Sequence, residues 1–253
     1  MRMKLITGLA MAVAFGATAH ATEFVQNGNF ENASSGSFEY DSSQHTGSVA
    51  NWTYNDPAGE NSYNILFKTS TAVSGNPTTR FGASQGLWAL PSNTGSFNIG
   101  TNFMALDGDR GSGGSNNVQG EIEQQINGLT VGAVYTLTFD FAAGQLQSRT
   151  GDTTEKLQVF LGGDMRTTDT LSVASKGAAN WELETFTFTA TSSSELLKFL
   201  SVGTPSGEPP MALLDNVSLQ GPGVPEPATW GLMLVGVGLI GATLRRRRAA
   251  ALA

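Results

Sequence analysis

The 253-residue chain contains no cysteine. That excludes disulfides, thiolate nucleophiles and zinc or iron–sulfur sites built on cysteine. Histidine occurs twice, as His20 and His45. His20 falls in a segment read below as a removable leader, so His45, in a Ser/Gly-rich stretch with loop character, is the only imidazole of the exported chain. A Ser-His-Asp triad needs a base of that kind. Charge is also scarce: 14% of residues are Asp, Glu, Lys or Arg, against roughly 25% in an average globular chain. Six of the 14 basic residues sit at the two ends (Arg2, Lys4 and Arg245 to Arg248), which leaves Thr22–Gly223 with 8 basic against 20 acidic residues, a net charge of −12. Such a surface repels phosphate backbones and excludes nucleic acid as a partner. Calcium and neutral polymers remain compatible with it.

Between Thr22 and Gly221 no segment sustains helical apolar spacing, while period-two alternation recurs. Tyr135-Thr136-Leu137-Thr138-Phe139-Asp140-Phe141 puts four large apolar side chains on one strand face and polar ones on the other. Leu183–Thr189 alternates similarly, and Lys156–Leu161 does so with one defect. Further strands are predicted over Thr22–Phe30, Val49–Tyr54, Ser62–Lys68, Leu87–Leu90, Phe103–Leu106, Val118–Ile126, Glu195–Val202 and Ala212–Leu219. Short strands separated by Gly, Asn, Ser and Asp turns, with 31 glycines in the chain, predict one all-β domain, a sandwich or jelly roll.

The ends read as addresses. MRMKLITGLAMAVAFGATAHA has a basic start, an apolar run from Leu5 to Ala17 and small residues at Ala19 and Ala21, the layout of a secretory signal peptide over residues 1–21, cleaved after Ala21. The ectodomain is then 22–221. Residues 222–253 form a second address. Ala228–Leu244 are seventeen uncharged, mostly apolar residues, at the short end of the roughly 17 to 25 that span a bilayer as a helix. Trp230 at one edge suits the interface, and Arg245, Arg246, Arg247 and Arg248 at the other are expected to stay cytoplasmic. A single membrane span with an outside ectodomain follows.

This end resembles the PEP-CTERM sorting signal in its Trp-containing variant. The match comprises Pro225-Glu226-Pro227, Trp230, the hydrophobic helix and the arginine cluster; Gly231 stands where that variant usually has Ala. The resemblance implies an exosortase as processing partner, inner-membrane anchoring beforehand, and delivery to the surface or matrix of a Gram-negative bacterium. A plain C-terminal anchor is the alternative. Three phrases in the body, Val25–Glu31, Glu121–Ile126 and Leu213–Leu219, resemble the galactose-binding-like β-sandwich of many carbohydrate-binding modules. That resemblance implies a structural calcium ion with Glu31 and Asp215 as side-chain ligands, carbonyl oxygens completing the shell. Solvated turn acids are the other reading of those two residues.

Flat rings stack on sugars and amides hydrogen-bond to them. Trp52, Tyr54, Tyr40, Tyr63, Trp88 and Trp181 lie outside the clear core faces, with Asn51 and Asn64 nearby in sequence. Trp52 and Tyr54, two apart on an expected strand, are the first choice for a carbohydrate platform with Asn51 beside them and Trp88 as a further candidate; core packing is the competing fate. Glu121 and Glu123 share a strand face, which is the minimum arrangement for a glycosidase pair. Asp107 and Asp109 read as a turn. The expectation is a non-catalytic polysaccharide-binding surface protein, with a structural matrix protein as the alternative and glycoside hydrolysis behind both.

Overall fold

The computed structural model describes residues 21–40, 47–54, 63–73, 86–109, 118–147, 150–206, 210–222 and 235–241. The chain divides into a compact unit, Ala21–Pro222, and a second unit formed by Met1–His20 with Gly223–Ala253. In the second unit the described part is a helix over 235–241. Among the described residues no helix is long and apolar enough to cross a membrane. The rest of the expected span 228–244 lies outside the described residues. So do residues 1–20, His45, the motif residues Pro225, Glu226, Pro227 and Trp230, and Arg245 to Arg248.

The unit Ala21–Pro222 is built of two antiparallel sheets. The larger runs β10 (Ala179–Thr189), β6 (Val134–Gln145), β12 (Pro210–Pro222), β4 (Asn102–Asp107), β3 (Asn64–Lys68) and β2 (Phe38–Glu39), with β1 (Ala21–Glu23) paired to the end of β12. The smaller runs β5 (Glu121–Asn127), β11 (Ser194–Thr204), β7 (Thr153–Leu161) and β8 (Asp164–Thr167), with β9 (Leu171–Val173) on β7. The alternation in β6 works as expected. Tyr135, Leu137, Phe139 and Phe141 are fully buried between the sheets, and Phe139 meets Phe199 of β11 edge to face at 5.1 Å. A second cluster occupies the other face of the larger sheet. Ile65, Phe67, Phe103, Ala105 and Leu213 pack there beneath Leu87 and Trp181. With both faces covered, Phe103-Met104-Ala105-Leu106 is continuously buried, so β4 reads as an apolar run rather than an alternation.

Three expected strands do not form as such. Thr22–Phe30 is a strand only to Glu23, because Asn27 (φ 54°) and Phe30 (φ 53°) take the left-handed conformation and turn the chain. Val49–Tyr54 makes only isolated bridges, Ala33 with Val49 and Thr53 with Glu123, because Asn51 (φ 67°) breaks the extended path between them. Leu87–Leu90 contributes a single bridge, Leu87 with Leu146. The short strands β2, β8 and β9 carry too few residues for a periodic signal.

Candidate functional site

The opening turn and the closing strand bring two acids together. Gly28 accepts the Val217 N–H through its carbonyl at 2.9 Å, which lays the opening phrase against β12. Glu31 then reaches the 98–102 segment: its Oε1 accepts the N–H groups of Thr101 and, at 3.0 Å, Asn102. Asp215, fully buried, accepts the N–H groups of Asn216 at 2.7 Å and of Gly100. Gly100 is thus the meeting point, and Glu31 Oε1 lies so close to it that a β-carbon there would fall 2.1 Å from that oxygen. A third acid, Asp140, is the register partner of Asp215 on β6, and its Oδ2 accepts the Asn216 amide at 2.8 Å. Burial pushes the Asp215 carboxyl up to about 8, against the pull of its hydrogen bonds and with the charges of Asp140 and Glu31 adding to the rise. Asp140 is raised as well, chiefly by burial. Asp215 Oδ2 is buried without a hydrogen-bond partner. Among the described residues no three acidic or histidine side chains are placed to hold a metal by themselves.

The expected aromatic platform is corrected by burial. Trp52 is 2% exposed: its indole N–H donates to the Asn27 carbonyl at 2.9 Å and its ring packs on Phe30 and Phe199 at 5.3 and 6.2 Å. It is a core residue whose ring is taken up by packing, although it also contributes to the lining of the groove described below. Asn27 fixes this segment, its amide donating to Ala50 at 2.8 Å. Trp181, Tyr40 and Tyr63 are likewise buried, as is Asn64, whose amide donates to the Glu121 carbonyl at 3.0 Å. Trp88 is half-buried, and one face of its ring is taken by the Lys176 ammonium at 4.9 Å. Tyr54 is the aromatic of the expected pair that stays half-exposed. It stands edge to face with Tyr40 at 5.1 Å and lines a depression of about 360 Å³ with Tyr40, Gly47, Ser48 and Thr53.

Thr53 also lines a second, larger groove of about 540 Å³. This groove carries the amides of Gln26, Asn51, Gln124, Gln125 and Asn127, together with Glu123. Several of these amides are held in place. Gln124 exchanges two hydrogen bonds of 2.8 Å with the Gln26 backbone, and Gln125 donates to Ser194 Oγ at 2.9 Å, which in turn donates to Asn127 Oδ1 at 2.7 Å. Of the residues singled out in the sequence, Tyr40 and Tyr54 line the depression, and Asn51, Trp52 and Glu123 line the groove, Tyr40 and Trp52 as buried residues. The amides of β5 were not singled out, although the alternation of Glu121, Glu123, Gln125 and Asn127 on one strand face carried the signal.

The carboxylate pair considered for hydrolysis is differentiated by its surroundings. Glu121 is 7% exposed and pairs with the Lys198 ammonium at 3.4 Å, whereas Glu123 opens into the groove. Asp107 is the last residue of β4 and Asp109 follows it outside the strand, its N–H donating to Asp107 Oδ1 at 2.8 Å.

Comparison with known proteins gives the following matches. Residues 112–220 match the family described as protein of unknown function (DUF642), and residues 223–248 match the PEP-CTERM protein-sorting motif. Halomucin of Haloquadratum walsbyi is 30% identical over 215 residues; the match covers 85% of this chain, which spans only about 2% of that relative's length. Among solved structures, TmCBM61 in complex with β-1,4-galactotriose is 14% identical with a TM-score of 0.38, over 78% of this chain and 97% of that one. The K3 cleaved adhesin domain of the Lys-gingipain of Porphyromonas gingivalis is 14% identical with a TM-score of 0.43, over 79% and 99%. A putative sugar binding protein from Bacteroides thetaiotaomicron is 12% identical with a TM-score of 0.38, over 79% and 100%. The chain therefore carries a PEP-CTERM sorting motif at its C-terminus, directly behind a DUF642 region that ends in the closing strand of its β-sandwich.

Proposed function

We propose that this chain is a non-catalytic polysaccharide-binding protein, exported through a leader over residues 1–21, anchored in the inner membrane through a helix over about 228–244, and then processed by an exosortase for display at the surface or in the matrix of a Gram-negative cell. The ectodomain, 22–221, is a jelly roll of galactose-binding-like type. The observation that carries the binding half of this reading is the amide-lined groove adjoining the Tyr54 depression across Thr53. Amides donate and accept at once, as sugar hydroxyls do, and a half-exposed ring beside them supplies an apolar face for a pyranose. A glycan array and a pull-down on the host's exopolysaccharide test it: retention that is lost in Tyr54→Ala and in Asn51→Ala supports the reading, and no retention on any glycan rejects it. The burial of Trp52 and Trp181 favours the second reading, a structural matrix protein without a defined ligand, because it removes two of the aromatics a platform would use.

The acidic centre supports a structural cation. Asp215 Oδ2 is a buried oxygen with no donor, set among the charges of Glu31 and Asp140. A hard divalent ion such as Ca²⁺, with carbonyl or water oxygens beside these carboxylates, is what such a group lacks. When bound it would supply charge neutralisation that braces the opening turn against β12. Glu31 and Asp215 are the residues to hold it.

A further inference from the structure

We infer that the amide groove takes an uncharged polysaccharide and discriminates against its uronate counterpart; this rests on the reading of the groove as a glycan site. Two features set the selectivity.

The first is that the groove offers neutral hydrogen-bonding groups from the backbone as well as from side chains. Strand β5 is the terminal strand of its sheet. Thr53 exchanges two backbone hydrogen bonds with Glu123, at 2.9 and 2.7 Å, on the side facing away from β11. Alternate residues of a strand point their N–H and C=O to the same side, so those of Gln125 and Asn127 face that same edge. Among the described residues no chain continues the pairing, because Asn51 at φ 67° turns the neighbouring segment away. The groove lies along this open stretch and presents backbone N–H and C=O groups next to the Gln125 and Asn127 amides. Every one of these groups is uncharged and matches a hydroxyl.

The second feature is charge. Among the described residues that line the groove, Glu123 is the sole ionisable one, and the body around it is strongly acidic in sequence. The nearest base in register, Lys198, is directed elsewhere: it lies opposite Glu123 on β11, yet its ammonium pairs with Glu121 at 3.4 Å and sits over the Phe160 ring at 4.8 Å. A carboxylated sugar ring would bring a second negative charge beside Glu123 with no base lining the groove to receive it, and like charges without a partner count against a ligand.

The test measures binding by the purified full chain, kept in a detergent without a sugar head group, to matched fragments that differ only at C6: galactan against galacturonan, glucan against glucuronan, mannan against mannuronan. Calorimetry at low ionic strength is expected to give the neutral member of at least one pair an affinity about tenfold or more above its uronate, a gap that shrinks in high salt and in Glu123→Gln. Asn51→Gly, which removes the amide and keeps the left-handed conformation, combined with Gln125→Ala is expected to abolish binding of the neutral member with the melting temperature held within a few degrees. A uronate that binds as tightly as its neutral partner, or a gap untouched by Glu123→Gln, overturns the selectivity while leaving the glycan reading standing. Undiminished binding by the Asn51/Gln125 double variant overturns the location. Silence of both members of every pair overturns the glycan reading and the inference with it.

Discussion

Trp52 and Tyr54 stand two residues apart, and burial gives them opposite consequences. Trp52 closes the core against Phe30 and Phe199 with its indole N–H satisfied by Asn27. Trp52→Ala is expected to cost about 3–5 kcal/mol by urea denaturation, as large-to-small changes in a packed core do. Tyr54→Ala is expected to leave the melting temperature within a few degrees while weakening glycan retention. Asp215 supports a prediction of a different kind. Its carboxyl titrates near 8 in the fold against 3.8 as an ordinary aspartate. Below the lower value both states are protonated and the group contributes nothing. Between the two the unfolded chain ionises while the folded one holds its proton, so stability falls as pH rises from about 4 to about 8. Glu155, fully buried and raised chiefly by burial, acts in the same direction. In chelator, thermal melts are therefore expected to show a falling melting temperature across that window, and Asp215→Asn is expected to flatten part of the fall. Added calcium is expected to restore the melting temperature at pH 7 to 8 in the parent and not in Asp215→Asn; no response in the parent would reject the cation.

At the scale of elements, β6 was legible because one of its faces meets the core along Tyr135 to Phe141, so period two survives in the sequence. β3 and β4 lie under a second apolar layer carrying Leu87 and Trp181, which turns alternation into an unbroken apolar run. The same layer explains why the candidate aromatics were hard to sort: an aromatic outside a clear strand face can still be buried by a loop, as Trp181 is. The acidic pair was legible because it rests on short phrases at fixed ends of the domain, whereas the groove was not, because it joins residues from the opening turn, the 51–53 segment, β5 and Leu196 of β11, which stand far apart in the chain. Gly28 is where the opening turn is pressed onto β12. A β-carbon at that position would fall 1.9 Å from the Val217 carbonyl oxygen, a backbone atom that cannot swing aside. Gly28→Ala is expected to destabilise by more than about 1–3 kcal/mol, the usual cost of overpacking. It is also expected to weaken the calcium dependence of the melt, since it displaces the turn that carries Glu31.

For the whole molecule, β1 ties the start of the folded unit to its end: Ala21 lies opposite Pro222, Thr22 opposite Gly221 and Glu23 opposite Gln220, and the Glu23 carboxylate accepts from the Leu219 N–H at 2.9 Å. The expected leader cleavage after Ala21 therefore falls at the edge of the fold, and only Gly223 and Val224 separate the last paired residue from Pro225. Among the described residues both core clusters, with the side chains packed against them, draw on positions between Phe24 and Leu219. Folding of the unit and processing of the C-terminal signal are thus separable in sequence, which yields a clean test of sorting. Replacing Pro225, Glu226 and Pro227 together by alanine is expected to leave the near-ultraviolet circular dichroism and the melting temperature of the unit unchanged. In the host the same variant is expected to accumulate at its unprocessed mass in the inner-membrane fraction, while the parent chain appears shortened at the surface or in the medium. Deleting Arg245 to Arg248 separates anchoring from motif recognition, because it removes the charges expected to hold the chain at the cytoplasmic side while keeping the motif intact. Surface delivery of the alanine variant at the parent's processed mass would show that the motif is not what sorts this chain.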